Sequence, residues 1–184
     1  MNNNNQSETI AGLAEQFGRQ IFQVAYRIVG DRHLAEDITQ DVFLRLFKKS
    51  VDECAQIDNW QAYLKRMAIF ASYDVLRKKV RLSEVPYDLN HSSNMQESNH
   101  LRPDQNLLFQ RDISHFRRAL LSLSKTEASA FILRFVEEFT YSEIASQLKL
   151  TPSNVGVVIN RAKKKLTRLL SQSQFLGESH ESVS

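Results

Sequence analysis

Apolar residues recur at steps of three and four along most of the chain, and the breaks in that rhythm divide it into helices. Ile10, Leu13, Ala14, Phe17, Ile21, Val24, Ala25 and Ile28 fall on one helical face. That stripe stops at Gly30. Asp31 can then cap a second helix, which buries Ala35, Ile38, Val42 and Leu46. A third helix is predicted to open on a capping box from Asp58 to Gln61 and to bury Trp60, Leu64, Met67, Ala68, Ala71 and Val75. Together these form a three-helix module over Ser7–Arg81.

The rhythm is lost over residues 82–103, where "SEVPYDLNHSSNMQESNHLRP" is rich in Ser, Asn, His and Glu; this stretch is read as a flexible polar linker. It resumes near Asp104 with a helix carrying Leu107, Leu108, Ile113, Phe116 and Leu120. Three start signals follow: Ser124 with Glu127, Thr140 with Glu143, and Thr151 before Pro152. The second module is therefore a four-helix unit over Asp104–Ser171. Residues 1–6 and 172–184 are polar and expected to be loose tails. The expected architecture is all-α, two small helical modules on either side of a linker.

Composition agrees with helices. Five Gly and three Pro in 184 residues are too few for the turns of a β-sandwich, and 42% hydrophobic content supports ordinary cores. The net charge of +3 is mild, so any affinity for nucleic acid must come from local clusters of Lys and Arg. The lone Cys54 has no partner for an internal disulfide and no adjacent base, and reads as an inert thiol. No export signal or membrane-length apolar run is present, so a cytoplasmic protein with no membrane insertion is expected. The five His have no Cys or acidic partner at ligand spacing, and neither a metal nor a cofactor is expected.

Three segments carry candidate function. "TYSEIASQLKLTPSNVGVVINRAKKKL" is laid out as a helix-turn-helix, with Val155, Ile159, Ala162 and Leu166 inward. Ser153, Asn154, Val157, Asn160, Arg161 and Lys164 face outward, so two amides, a hydroxyl and a valine would meet the bases. Arg161, Lys163, Lys164, Lys165 and Arg168 stand at the level of the phosphates. Two helices simply packed together is the plainer alternative.

In the second helix, Asp37, Gln40, Asp41, Leu44 and Lys48 share a face turned away from the buried stripe, with Phe47 on its rim. Carboxylates around exposed apolar anchors suit an interface for a basic partner. A solvated face with a stray Leu is the alternative. On the third helix, Lys65, Arg66, Ile69, Tyr73, Leu76 and Arg77 lie opposite the core, with Phe70 at the edge, and lead into Lys78 and Lys79. Rings interleaved with cations suit unpaired bases, which stack while Arg and Lys hold phosphates. Alternatively, Ile69, Tyr73 and Leu76 pack under the first helix or the linker.

Taken together, "AEDITQDVFLRLF", "NWQAYLKRMAIFASYDVLRKK" and "LLSLSKTEASAFILRFVEEFTYSEIASQLKLTPSNVGVVINRAKKKL", in this order around a polar linker, resemble a bacterial sigma factor of the extracytoplasmic-function group of the sigma-70 family. The resemblance implies that the first module is region 2, which binds the clamp helices of the polymerase β′ subunit and melts the minus-ten element. It implies that the second is region 4, which binds minus-thirty-five DNA and the β flap. The clamp-binding motif then falls on Asp37, Gln40, Asp41 and their neighbours, and the minus-ten segment on Tyr63 through Lys79. The family also implies core RNA polymerase and promoter DNA as partners, possible control by an anti-sigma factor, and no catalytic residue. Two places depart from the family: Ile69-Phe70 where many members have Arg-Asn, and Gly156-Val157-Val158 where members often have Lys-Ser-Arg. A stand-alone helix-turn-helix regulator is the chief alternative function. A polymerase-binding adaptor without DNA contacts fits the cations from Arg161 to Arg168 poorly.

Overall fold

A computed structural model describes residues 3–82 and 113–178, and every regular element in those residues is helical. The chain divides into two compact units, Met1–Lys78 and Lys79–Ser184. The first contains α1 (Asn3–Val29), α2 (Arg32–Phe47), α3 (Val51–Ala55) and nearly all of α4 (Trp60–Leu82). The second contains α5, described over residues 113–121, then α6 (Lys125–Phe135), α7 (Tyr141–Leu148) and α8 (Pro152–Glu178). The predicted linker and the helix start near Asp104 lie outside the described residues.

Local chemistry explains most helix ends. Gly30 takes φ 69, a left-handed conformation open to a residue without Cβ, and its N–H bonds the Tyr26 carbonyl to close α1. Asp31 accepts from the Leu34 N–H at 3.1 Å and starts α2. Both predicted capping boxes of the second unit are formed, Ser124 with Glu127 and Thr140 with Glu143. Thr151 accepts from the Asn154 N–H at 3.3 Å, and Pro152 occupies the first turn of α8.

Four expectations need correction. The cap of α4 is Asn59, whose side chain accepts from the Ala62 N–H at 2.9 Å, and not Asp58. Asn59 immediately precedes the first helical residue, and its side chain reaches the N–H of the third, Ala62. The first unit also holds a fourth helix, α3, opened by a Ser50–Glu53 capping box. It buries none of its side chains, so it leaves no apolar stripe to read. Finally, α1 begins at Asn3 and α8 runs to Glu178, so helix extends into both segments expected to be loose.

In the first unit α1 packs on α2, and Gln61 of α4 donates to Gln20 of α1 at 2.8 Å. The core combines Ile21, Val24 and Ala25 with Ala35, Ile38, Val42 and Leu46, as the stripes predict. Helix α4 contributes Ala62, Leu64, Ala68, Ile69, Ala71, Ser72, Tyr73 and Leu76. In the second unit α6, α7 and α8 pack on one another around Leu133, Ile144, Val155, Ile159 and Ala162.

Candidate functional site

Helix α2 presents the first candidate surface. Its inward stripe fixes the rotation of the helix, and Leu44 and Phe47 are left 59% and 52% exposed. Asp37 and Gln40 are exposed beside them, and Asp41 is half-buried. The Asp41 carboxylate meets Arg45 one turn on at 2.6 Å; both are well solvated, so the pair orients the carboxylate and adds little stability. Ile10, Ala14 and Gly18 of α1 join Phe43, Leu44 and Phe47 to line an apolar groove of about 510 Å³ next to Gln40. The contribution of α1 to this surface was not legible, because Ile10 and Ala14 look like ordinary core positions in its stripe.

Helix α4 presents the second surface, and here the predicted face is only partly right. Ile69 and Tyr73 are 0% and 1% exposed, so neither is available to a base in this conformation. They belong to the core, as does Leu76. At 100° per residue the buried positions from Leu64 through Ile69, Tyr73 and Leu76 sweep an arc of about 200°, twice the width of a surface helix stripe. Arg66, Phe70 and Arg77 fall in the remaining arc, with Arg77 and Lys78 exposed and Arg66, Phe70 and Lys79 half-buried.

Within that arc is a ladder the sequence reading missed. The Arg66 guanidinium lies 5.0 Å from the ring centre of Tyr63 and 5.6 Å from that of Phe70, and Trp60 meets Tyr63 edge-on at 6.2 Å. The Arg66 Nε is buried without a hydrogen-bond partner, so the two rings set the pose of the cation. The spacing Trp60, Tyr63, Arg66, Phe70, in steps of three, three and four, was the available signal. The apolar stripe places Trp60 in the core, whereas in the fold it is only half-buried.

The third surface is the helix-turn-helix of α7 and α8. The turn reverses at Lys149 with φ 54, and the Leu150 N–H bonds the Ala145 carbonyl. Val155, Ile159, Ala162 and Leu166 are all buried, which directs Ser153, Asn154, Val157, Asn160, Arg161 and Lys164 outward; each of these is exposed. Arg168 continues the same arc.

Two cations of the predicted cluster, both exposed, meet side chains of the same unit. Lys165 Nζ lies 2.9 Å from both carboxylate oxygens of Glu127 on α6, and Lys163 Nζ sits 5.6 Å from the ring centre of Phe135. Burial pushes the Glu127 carboxyl up, but hydrogen bonds from the Ser124 N–H and from Lys165 outweigh it and leave its pKa below the ordinary glutamate value. Glu127 therefore holds the start of α6 and the middle of α8 with one carboxylate. Gly156 packs beside Tyr141 of α7, so that a Cβ built there would lie 3.5 Å from Tyr141 Cε2.

Cys54 is half-buried, and burial raises its thiol above the usual range, consistent with an unreactive side chain. Among the described residues no His, Cys, Asp and Glu group could hold a metal, and no helix is long and apolar enough to cross a membrane.

Comparison with known proteins places both units. The family models for Sigma-70 region 2 and Sigma-70 region 4 match residues 13–82 and 115–166. The chain is 28% identical over 162 residues to the ECF RNA polymerase sigma factor SigE of Mycolicibacterium smegmatis, a match covering 87% of this chain and 61% of that longer protein. It is 21% identical over 168 residues to the ECF RNA polymerase sigma factor SigW of Bacillus subtilis, covering 89% of each chain. The RNA polymerase sigma factor YlaC of the same organism is 24% identical over 169 residues, covering 91% of this chain and 95% of that one. With region 2 and region 4 in this order on its two helical units, the chain belongs to the sigma-70 family of RNA polymerase sigma factors, in the extracytoplasmic-function group.

Proposed function

We propose that the chain binds core RNA polymerase through the α2 surface, where Asp37, Gln40 and Asp41 surround Leu44 and Phe47, and so directs promoter-specific initiation. The observation that carries this reading is the exposure of Leu44 and Phe47 beside carboxylates on a helix whose opposite face is fully buried. Apolar anchors with a negative rim suit the β′ clamp helices as a partner, since a basic helical surface can pair with the rim while the anchors are buried. Region 4 places α8 at the minus-thirty-five element and makes contact with the β flap. Arg161, Lys164 and Arg168 then hold phosphates while Ser153, Asn154, Val157 and Asn160 meet base edges.

At the minus-ten element, the half-exposed ladder of Tyr63, Arg66 and Phe70 receives unstacked bases, and Arg77, Lys78 and Lys79 hold the strand. Ile69 and Tyr73 support that surface from beneath. The chain contributes no covalent chemistry; the polymerase supplies the active site. An anti-sigma factor occupying the α2 groove would compete with the polymerase for the same anchors. A stand-alone regulator is not favoured, because both sigma regions are present in order.

The test is binding to purified core polymerase. The full chain is expected to co-elute with core as a monomer, and the triple variant D37A/Q40A/D41A to lose core affinity at least tenfold while keeping its circular dichroism spectrum. Unchanged affinity in the triple variant would reject the α2 surface as the interface. Dimerisation with tight binding to duplex DNA in the absence of polymerase would point to the regulator instead.

A further inference from the structure

The second turn of α8 lacks the side chains expected of a DNA-reading helix. Gly156, Val157 and Val158 occupy its centre, Val158 is half-buried, and Gly156 has no side chain. What stands beside Gly156 is the ring of Tyr141, delivered from the first turn of α7. Tyr141 is 42% exposed, and Val157 next to Gly156 is 47% exposed. On the α8 wheel Gly156 lies at the edge of the outward arc, between the buried stripe and the line of Asn160, Ser153 and Val157. Tyr141 therefore walls one side of the arc that meets DNA.

The ring is also held in place. The Arg134 guanidinium lies 5.5 Å from the centre of the Tyr141 ring, and the same guanidinium donates to the Phe139 carbonyl at 2.9 Å. A Cβ at position 156 would make ordinary contact with the ring at 3.5 Å, and only a longer side chain would compete for the space the ring approaches. The glycine costs α8 about 1 kcal/mol of helix propensity relative to Ala, and in return leaves the tyrosine open to the groove.

We propose that Val157 and the ring of Tyr141 together form an apolar contact for a thymine C5-methyl in the major groove of the minus-thirty-five element. The inference rests on reading α7 and α8 as the promoter reader. The chemistry follows from what is exposed at the tip. Val157 and the ring carbons of Tyr141, its hydroxyl apart, cannot hydrogen-bond the polar edge of guanine, adenine or cytosine, and the thymine methyl is the one apolar group that a base pair presents there. Ser153, Asn154 and Asn160 supply hydrogen bonds to flanking bases, and Arg161, Lys164 and Arg168 supply phosphate contacts that fix the register. Specificity at the tip is then shape and methyl burial, where relatives with a Lys-Ser-Arg run would use charge and hydrogen bonds.

The test uses holoenzyme reconstituted from core polymerase and the full chain. Promoter fragments randomised over the minus-thirty-five element are selected for binding, and each thymine in the selected element is replaced by deoxyuridine, which removes only the methyl. Burial of one methyl predicts that at least one replacement weakens binding by roughly threefold to fivefold. That penalty is expected to vanish in Val157→Ala and Tyr141→Ala, and to persist in Tyr141→Phe and Asn160→Ala. Val157 is exposed, so its variant decides the matter even if Tyr141→Ala disturbs folding. Deoxyuridine tolerated at every position, or a penalty of unchanged size in Val157→Ala, overturns the inference. A holoenzyme that selects no promoter at all overturns the parent reading and the inference with it, and is distinct from promoter binding that ignores the methyl.

Discussion

Helices α4 and α8 look alike as sequences: each has an apolar stripe and an opposite face mixing cations with polar or aromatic groups. Folded, they differ in how far around the axis they are buried. The buried residues of α8, Val155, Ile159, Ala162 and Leu166, span about 60° at 100° per residue, and everything predicted to face outward does so. The buried arc of α4 is about 200° wide and takes in Ile69 and Tyr73. A helix seated along one seam obeys the rule that the face opposite the stripe is exposed. A helix buried over more than half of its circumference does not, and its accessible face shrinks to the strip carrying Tyr63, Arg66, Phe70 and Arg77.

The strongest way to break this comparison is to substitute the disputed residues of α4. Tyr73→Ala is expected to destabilise the protein by about 3 kcal/mol or more, and Ile69→Ala by about 2 kcal/mol or more, measured by denaturant unfolding. Arg77→Ala on the exposed strip should change stability by less than about 0.5 kcal/mol while weakening promoter opening. A Tyr73→Ala variant of normal stability would return Tyr73 to the surface and restore the predicted face.

The α8 side of the comparison is sharpened by its cations. Lys165 and Lys164 are neighbours in sequence, but Lys165 is committed to Glu127 and Lys164 points outward. Lys165→Met is expected to cost about 1 kcal/mol of stability, the ammonium being half-exposed, and to leave the salt dependence of DNA binding unchanged. Lys164→Met should leave stability alone and reduce the salt slope by about one. Equal slopes for the two variants would mean that Lys165 also reaches phosphate.

Acid provides a graded version of the same test. Because the native pKa of Glu127 is depressed, its contribution is fully present above the ordinary glutamate value and is lost as pH falls through the lower native one. Wild-type stability should therefore fall below about pH 4, and Glu127→Gln should flatten that part of the profile. The smallest expected effect is at Gly156. A Cβ there makes ordinary contact with Tyr141, so Gly156→Ala should stabilise α8 by about 0.5–1 kcal/mol, read from the shift in denaturant midpoint.

Much of the fold was legible because its signals are local. Asp31, Ser124, Thr140 and Thr151 each act on an N–H three residues away, and the stripes of α1, α2 and α8 count out within single helices. The Ser50–Glu53 box was equally local, but the five-residue helix it opens has no buried face to draw attention. What stayed hidden depends on distant partners. Glu127 and Lys165 are 38 positions apart, the α2 groove needs Ile10 and Gly18 from α1, and Tyr141 matters because it meets Gly156. A wheel drawn for one helix holds none of that information.

The central claim is that these two units open a promoter when they sit on polymerase. It is tested most directly by permanganate reactivity of thymines in a selected promoter, measured with core polymerase alone, with the chain alone and with both. Permanganate modifies unpaired thymines, so the account predicts reactivity across the minus-ten element only when both are present, greatly reduced in the D37A/Q40A/D41A variant. Reactivity absent from the combined sample, or unchanged in that variant, would contradict it.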